Sequence, residues 1–244
     1  MSCPRLFVDL PLAIDAPLDV RGEPARYIGR VLRARVGDEI TVFNGKGGEY
    51  GARIEQIGKM QVLLRLHVWR ERELESSLAI RLIQGVSRGD RMDTVVQKAT
   101  ELGVQRISPL LSEFSVVRLD TERADKRSRH WEAVARSACE QCGRNRPPAI
   151  DTPCRFDELL AATAPQATRL ILLPAATRSL AALAQVPADL ELLIGPEGGF
   201  SPVEAERAVA AGFEPVSMGT RIMRTETAAI AGLAIAQSLW GDLA

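Results

Sequence analysis

The spacing of apolar and polar positions changes near residue 78. Before it, short apolar alternations predict strands at residues 5–9, 39–43, 49–57 and 61–69. Turn signals such as Asn44-Gly-Lys-Gly-Gly48 and Gly58-Lys59 separate them. A short helix carrying arginines is predicted over 25–33, and together these make a small β-rich module, read as a barrel. The polar stretch 71–77 is the expected boundary, dividing residues 1–72 from 73–244. Beyond it strand-like runs at 78–85, 106–111, 169–173, 190–194 and 214–217 alternate with helical patterns at 90–102, 121–142, 179–185, 202–211 and 227–239. In 90–102, Met92, Val95, Val96, Ala99 and Leu102 recur at helical spacing and Gly103 supplies the stop. Such alternation predicts an α/β fold with a mostly parallel sheet covered on both faces. The run 228–240 is apolar nearly all round, which fits a helix buried in a core or in a subunit interface.

Two loops stand out from this pattern. Apolar residues 190–194 lead into Gly195-Pro-Glu-Gly-Gly-Phe-Ser201, where Ser201 is a good N-cap, Pro202 suits the first helical position and Glu204 completes a capping box. Glycines at a strand-to-helix turn let a ligand approach the backbone closely. Glu197 in the middle of that loop would repel phosphate, and the spacing matches neither common phosphate-binding fingerprint. The loop therefore suits a neutral or cationic ligand, or a reacting proton. The second loop, Met218-Gly-Thr-Arg-Ile-Met-Arg-Thr-Glu-Thr227, also follows a predicted strand, as does Pro174. Ligands of parallel sheets bind at the carboxyl ends of strands, so all three segments are expected to converge on one crevice.

Composition narrows the class without naming a partner. Lys plus Arg equals Asp plus Glu, 31 each, so no overall positive field points to nucleic acid. Locally the balance shifts: Arg21, Arg26, Arg30, Arg33 and Arg35 face only Glu23, and residues 118–146 hold eight Lys/Arg against five Asp/Glu. Either stretch is also what a solvated helix face looks like. The first residues carry Arg5 and Asp9 without a secretory apolar region, and no apolar run reaches membrane-spanning length, so a cytoplasmic location is expected. Cys139-Glu-Gln-Cys142 has a metal-site spacing but lacks a second pair, and only His67 and His130 are available, so no metal is expected.

Four segments taken together, residues 195–201, 218–227, Arg88-Gly-Asp-Arg-Met-Asp with Gln97-Lys-Ala-Thr-Glu-Leu-Gly103, and Glu140-Gln-Cys-Gly-Arg-Asn145, resemble the RsmE-like ribosomal RNA methyltransferases of the SPOUT class. The resemblance covers essentially the whole chain. It implies S-adenosylmethionine-dependent methylation of N3 of a uridine, position 1498, in the 16S RNA of the small ribosomal subunit. It implies a SPOUT α/β domain with a C-terminal trefoil knot, a PUA-like β-barrel that helps hold RNA, and a homodimer with active sites at the subunit interface. The chain departs from the family at Ser112-Glu-Phe114-Ser, where relatives commonly carry an arginine in place of Phe114.

The resemblance assigns the cofactor pocket to Leu172, Leu173 and Pro174 on one side and Met218, Gly219, Arg221, Ile222, Met223 and Thr225 on the other. Gly195, Pro196, Glu197, Gly198 and Gly199 would lie between them. A carboxylate at 197 is tolerable beside a cationic sulfonium. Met218, Ile222 and Met223 also read as plain core, and Thr225 or Thr227 as a helix cap. The N3 proton must be removed, so Glu226 or Glu197 is the candidate base. Arg224, or Arg221, is the candidate stabiliser of charge on the uracil oxygens. An ion pair between Arg224 and Glu226 would fit the sequence equally. Arg30, Arg33, Arg35 and Arg144 are candidate RNA phosphate contacts. Three rivals stay open: an RNA-binding relative without catalysis, a nucleotide-dependent enzyme on an ordinary doubly wound sheet, and a related enzyme acting on transfer RNA.

Overall fold

The computed structural model describes residues 3–115, 121–161, 167–183 and 188–243. It divides into two compact units. One comprises the chain through Glu75 together with Arg136–Pro147; the other holds Ser76–Ala135 and the chain from Pro148 onward.

The first unit is a five-stranded sheet of β1 (Arg5–Phe7), β2 (Pro17–Arg21), β3 (Glu39–Phe43), β4 (Glu49–Ile57) and β5 (Gln61–Arg70), in the order β1-β3-β4-β5-β2. β2 is absent from the sequence reading because only Leu18 and Val20 carry its alternation, and it starts on a proline, which an edge strand tolerates. Among the described residues β1 and β2 share no ladder, so hydrogen bonding does not close the expected barrel. Register irregularities between Gly51 and Ala52 and between Ile54 and Gln56 bend β4 against β5, and the bent sheet wraps a core that includes Val20, Ile40, Val42, Ile54, Val62 and Leu64. The helix predicted over 25–33 is instead a short α1 (Glu23–Arg26) followed by a wider turn, in which Leu32 N–H donates to Tyr27 O at 3.0 Å. That turn leaves Arg30, Arg33 and Arg35 exposed.

Residues 136–147 group with the first unit, although a division at 72/73 leaves them in the second. Polar side chains explain the grouping. Phe7 N–H donates to Glu140 Oε1 at 3.0 Å, Arg5 donates to Asn145 Oδ1 at 2.6 Å, and Asn145 donates to Arg72 O. Burial pushes the Glu140 carboxyl above its usual range. Arg144 forks onto Glu75, with Nη2 2.5 Å from Oε2, and its side chain is only 4% exposed. The assignment of Arg144 to an RNA phosphate is thereby corrected: a guanidinium committed to a neighbouring carboxylate and sealed from solvent anchors the fold. Cys139 is buried and hydrogen-bonded to Cys142, which together with burial raises its thiol pKa.

The second unit carries, in chain order, β6 (Ala79–Gly85), α2 (Arg91–Glu101), β7 (Arg106–Leu111), α3 (Thr121–Cys142, whose end joins the first unit), β8 (Ala149–Ile150), β9 (Cys154–Arg155), α4 (Phe156–Ala161), β10 (Thr168–Leu172), β11 (Asp189–Ile194), α5 (Pro202–Ala210), β12 (Glu214–Val216) and α6 (Thr225–Trp240). β8, β9 and α4 are too short to leave a readable period. Of the helix expected over 179–185, Leu180–Ala182 forms one tight turn, and residues 184 and 185 lie outside the described residues, as does Arg118 of the basic stretch.

All pairings in the sheet are parallel, in the order β12-β10-β11-β6-β7-β8 with β9 also on β7. Successive side chains point to opposite faces, so Leu190, Leu192 and Ile194 enter one core with Val95, Trp131 and Leu233, while Leu193 enters another with Leu159, Ala208 and Phe213. The apolar α6 divides by face. Ala229, Gly232, Leu233 and Ala236 are buried, whereas Ile230, Ala231 and Ala234 are half-buried on the other side. Among the described residues no helix is long and apolar enough to cross a membrane.

Candidate functional site

β10, β11 and β12 are neighbours in the sheet, and the segments leaving their carboxyl ends enclose a cavity of about 600 Å³. Leu172, Leu173 and Pro174 line it after β10; Gly195, Pro196, Glu197, Gly198 and Gly199 after β11; Met218, Gly219, Arg221, Ile222, Met223 and Thr225 after β12. The sequence placed all of these in one pocket, and the structure brings them together around one cavity. Arg91, Ile194, Phe200, Val216, Ser217, Arg224 and Ala228 complete the lining. Arg91 belongs to the Arg88-Gly-Asp-Arg motif, whose link to the glycine loop no linear pattern displays.

Close backbone packing sets the loop after β11. A Cβ on Gly85, at the end of β6, would collide with Pro196 N and come within 2.7 Å of Gly195 C, so only glycine lets the two strand ends meet. The loop then enters α5 through the expected capping box. Ser201 Oγ accepts from Glu204 N at 3.3 Å, and Glu204 Oε2 accepts from Ser201 N at 3.1 Å. The other oxygen of Glu204 takes Glu113 N–H at 2.8 Å, fixing the segment that precedes Phe114.

Glu197 is an ionised clamp. Burial alone would raise its pKa, but the N–H groups of Glu197 itself and Arg88, with the Arg91 guanidinium, outweigh that and hold the carboxyl below its ordinary range. Arg91 Nη1 donates to Glu197 Oε1 at 2.7 Å and Arg88 N at 3.0 Å. A carboxylate stabilised this way is a weaker proton acceptor than an ordinary glutamate, which weighs against Glu197 as the base.

The start of α6 is tied to the same loop. Thr225 does not cap the helix; the N-cap is Arg224, without a side-chain cap bond. Thr225 Oγ1 donates instead to Gly195 O at 2.6 Å and accepts from Gln84 Nε2 at 2.8 Å. Met218 and Met223 are half-buried and Ile222 is 85% exposed, so Ile222 is no core residue. Arg221 and Arg224 are exposed on the lining and unpaired among the described residues, so no Arg224–Glu226 ion pair forms. Glu226 lies beyond the lining, half-buried, with Oε2 sealed from solvent and without a hydrogen-bond partner. His67 pairs with Glu39 and His130 with Asp93, each at 2.7 Å, and the described residues contain no group of three metal-ligating side chains.

Known proteins resemble the chain along its whole length. Residues 74–237 match the model of the RNA methyltransferase domain, and residues 20–66 match that of the RNA methyltransferase PUA domain. The ribosomal RNA small subunit methyltransferase E of Buchnera aphidicola (subspecies Schizaphis graminum) is 34% identical over 240 residues, covering 98% of each chain. The ribosomal RNA small subunit methyltransferase E of Neisseria gonorrhoeae, solved with S-adenosyl methionine bound, superposes with TM-score 0.93 at 36% identity over 100% of both chains. A Legionella pneumophila protein solved with the same cofactor bound gives 0.96 at 39%, again over 100% of both. With a domain model spanning most of its length and relatives matching end to end, the chain belongs to the RNA methyltransferase family that includes the ribosomal RNA small subunit methyltransferases E.

Proposed function

We propose that this protein methylates N3 of a uridine, position 1498, in 16S ribosomal RNA of the small subunit, using S-adenosylmethionine. The observation that carries the reading is the cavity at the carboxyl ends of β10, β11 and β12, whose lining combines bare glycine backbone, apolar walls and exposed arginines.

The lining fits the cofactor. A volume near 600 Å³ lies within the roughly 300–1,000 Å³ of small-molecule sites. Leu172, Leu173, Pro174, Ile194 and Met218 offer apolar walls to an adenine ring, and the glycine backbone can meet its polar edges. The Glu197–Arg91 pair leaves the glycine loop without net charge there, which a cationic cofactor tolerates. When bound, S-adenosylmethionine supplies an electrophilic methyl group on a cationic sulfur.

The protein's own contribution is to place and charge the acceptor. Uracil N3 lies on the pairing edge, so the base must be unpaired or flipped to reach the cavity. Arg224 stabilises negative charge on the uracil oxygens. With Glu197 committed to Arg91, Glu226, next to Thr225 of the lining, is the remaining candidate for proton removal. Arg30, Arg33 and Arg35 hold RNA phosphates and so set position without reading sequence. The half-buried apolar face of α6 at Ile230, Ala231 and Ala234 supports a homodimer with the site completed at the interface. The resemblance places the family's trefoil knot in these C-terminal loops. An RNA substrate and the absence of a spanning helix among the described residues are consistent with work in the cytoplasm.

The test is incubation of small subunits lacking the modification with radiolabelled S-adenosylmethionine, followed by digestion and nucleoside mapping. Label in 3-methyluridine at one position of 16S RNA is expected. Label in another nucleoside, or only in transfer RNA, overturns the assignment.

A further inference from the structure

Gln84, the penultimate residue of β6, is wholly buried, yet it is polar and contributes nothing to the cavity lining. Its Nε2 donates twice, to Gly85 O at 3.1 Å and to Thr225 Oγ1 at 2.8 Å. Its Oε1 is buried without a partner. An unsatisfied buried carbonyl is destabilising, and an apolar side chain of similar shape would avoid that penalty. Stability alone therefore does not account for a glutamine here.

The geometry of its donor bond supplies another reason. A threonine hydroxyl rotates freely unless its environment fixes it. By donating into the Thr225 oxygen, Gln84 leaves the Thr225 hydrogen to point at Gly195 O, 2.6 Å away. One relay, Gln84 to Thr225 to Gly195, thus joins three segments at fixed spacing: the end of β6, the loop after β11 and the first turn of α6. Two of these segments line the cavity.

We propose that Gln84 is a positioning residue for the cofactor, acting through Thr225 to hold the Gly195–Gly199 loop and the start of α6 at binding distance before the ligand arrives. The inference rests on the proposed use of the cavity for S-adenosylmethionine. Preorganisation of this kind appears in affinity, because the free protein then needs no ordering on binding.

The deciding experiment compares wild type, Gln84→Met, Thr225→Val, Thr225→Ser and the Gln84→Met/Thr225→Val double variant by calorimetric titration with S-adenosylhomocysteine and by melting without ligand. Gln84→Met is expected to melt at or above the wild-type temperature while binding roughly tenfold more weakly, the scale of one or two lost hydrogen bonds. Thr225→Val should match it, the double variant should lose little more than either single one, and Thr225→Ser should lose less than Thr225→Val. For Gln84→Met, methylation assays should show KM for S-adenosylmethionine rising while kcat at saturating cofactor stays within about twofold. Wild-type affinity in Gln84→Met overturns the proposal, as does a loss of melting temperature that parallels the loss of affinity. Should Gln84→Met fail to fold, additive losses in a Gln84→Asn/Thr225→Val pair overturn it equally. If wild type itself binds no S-adenosylhomocysteine, the cavity assignment falls instead, and the two failures are distinct.

Discussion

Phe114 fills the space that a side chain on Gly198 would need: a Cβ built on Gly198 would lie 2.8 Å from Phe114 Cβ and 3.5 Å from its Cγ. Phe114 itself is 44% exposed, so it covers the glycine loop from the solvent side. Phe114 packs against a loop of the cavity. The loop's conformation is thus partly set by a residue well away in sequence.

A substitution at Gly198 should therefore disturb the loop even without a ligand. Gly198→Ala is expected to lower stability by about 1–3 kcal/mol, the usual cost of overpacking, and to weaken S-adenosylhomocysteine binding. The close contact is to Cβ, so Phe114→Ala should not rescue Gly198→Ala, whereas Phe114→Gly should do so in part. Melting and calorimetry on Gly198→Ala alone and combined with each Phe114 substitution decide it; full rescue by Phe114→Ala would place the conflict at the ring instead.

The acid limb of stability carries the mark of Glu197. Its carboxyl is held below its ordinary value of 4.5 in the folded protein. A depressed folded-state pKa contributes stability that is present above the unfolded value and lost as pH falls through the folded one. Glu197→Gln should thus be less stable than wild type above about pH 4.5 by about 0.5–1 kcal/mol, the range of a partly exposed ion pair, and the difference should fade below it. Denaturant titrations at several pH values measure this, and a gap that persists unchanged at pH 3 would show that the carboxylate charge is not its source.

Two substitutions on α6 separate folding from association. Leu233 is 0% exposed inside its unit, so Leu233→Glu should unfold the protein by burying an unpaired charge. Ala231 is half-buried on the other face, so Ala231→Arg should leave a folded monomer. Sedimentation at micromolar concentration gives the answer. A wild-type monomer would remove the dimer from the proposed mechanism.

Much of this arrangement is legible in the sequence, for identifiable reasons. β3, β4, β7 and α3 match their predicted spans, with Asn44, Gly58 and Gly143 punctuating the ends of β3, β4 and α3. The cavity lining is readable because three loops follow three adjacent parallel strands. What the sequence hides depends on contacts between distant residues. The pairing of Glu197 with Arg91, the relay from Gln84 and the grouping of Glu140, Arg144 and Asn145 with the first unit leave no trace in local spacing. Arg144 shows the hazard: an arginine after a glycine reads as a surface cation until its carboxylate partner, Glu75, is located.

RNA contacts by the first unit predict a salt effect. Arg30 and Arg33 are exposed and unpaired among the described residues. Arg30→Glu with Arg33→Glu should weaken binding to 16S RNA fragments and reduce the salt slope by about two, one counterion per lost phosphate contact. S-adenosylhomocysteine affinity should not change. Filter binding across several salt concentrations tests this, and an unaltered slope would mark the stretch as an ordinary solvated face.

The catalytic assignment turns on Arg224, which lines the cavity without an ion-pair partner and immediately precedes Thr225 of the relay. A group that stabilises charge developing only in the transition state affects turnover and leaves cofactor affinity nearly untouched. Arg224→Ala is therefore expected to lower single-turnover methylation about 10²–10³-fold at saturating cofactor. Arg224→Lys keeps the charge but loses the planar fork, so it should recover only part of the rate. Glu226 makes a separate claim on pH. If it removes the N3 proton, Glu226→Gln should be slow at neutral pH and approach the wild-type rate as rising pH ionises uracil unaided. A wild-type rate in Arg224→Ala would reassign that residue to shaping the loop. A Glu226→Gln deficit that is constant across pH would mean that the carboxylate acts by position or charge and takes no proton.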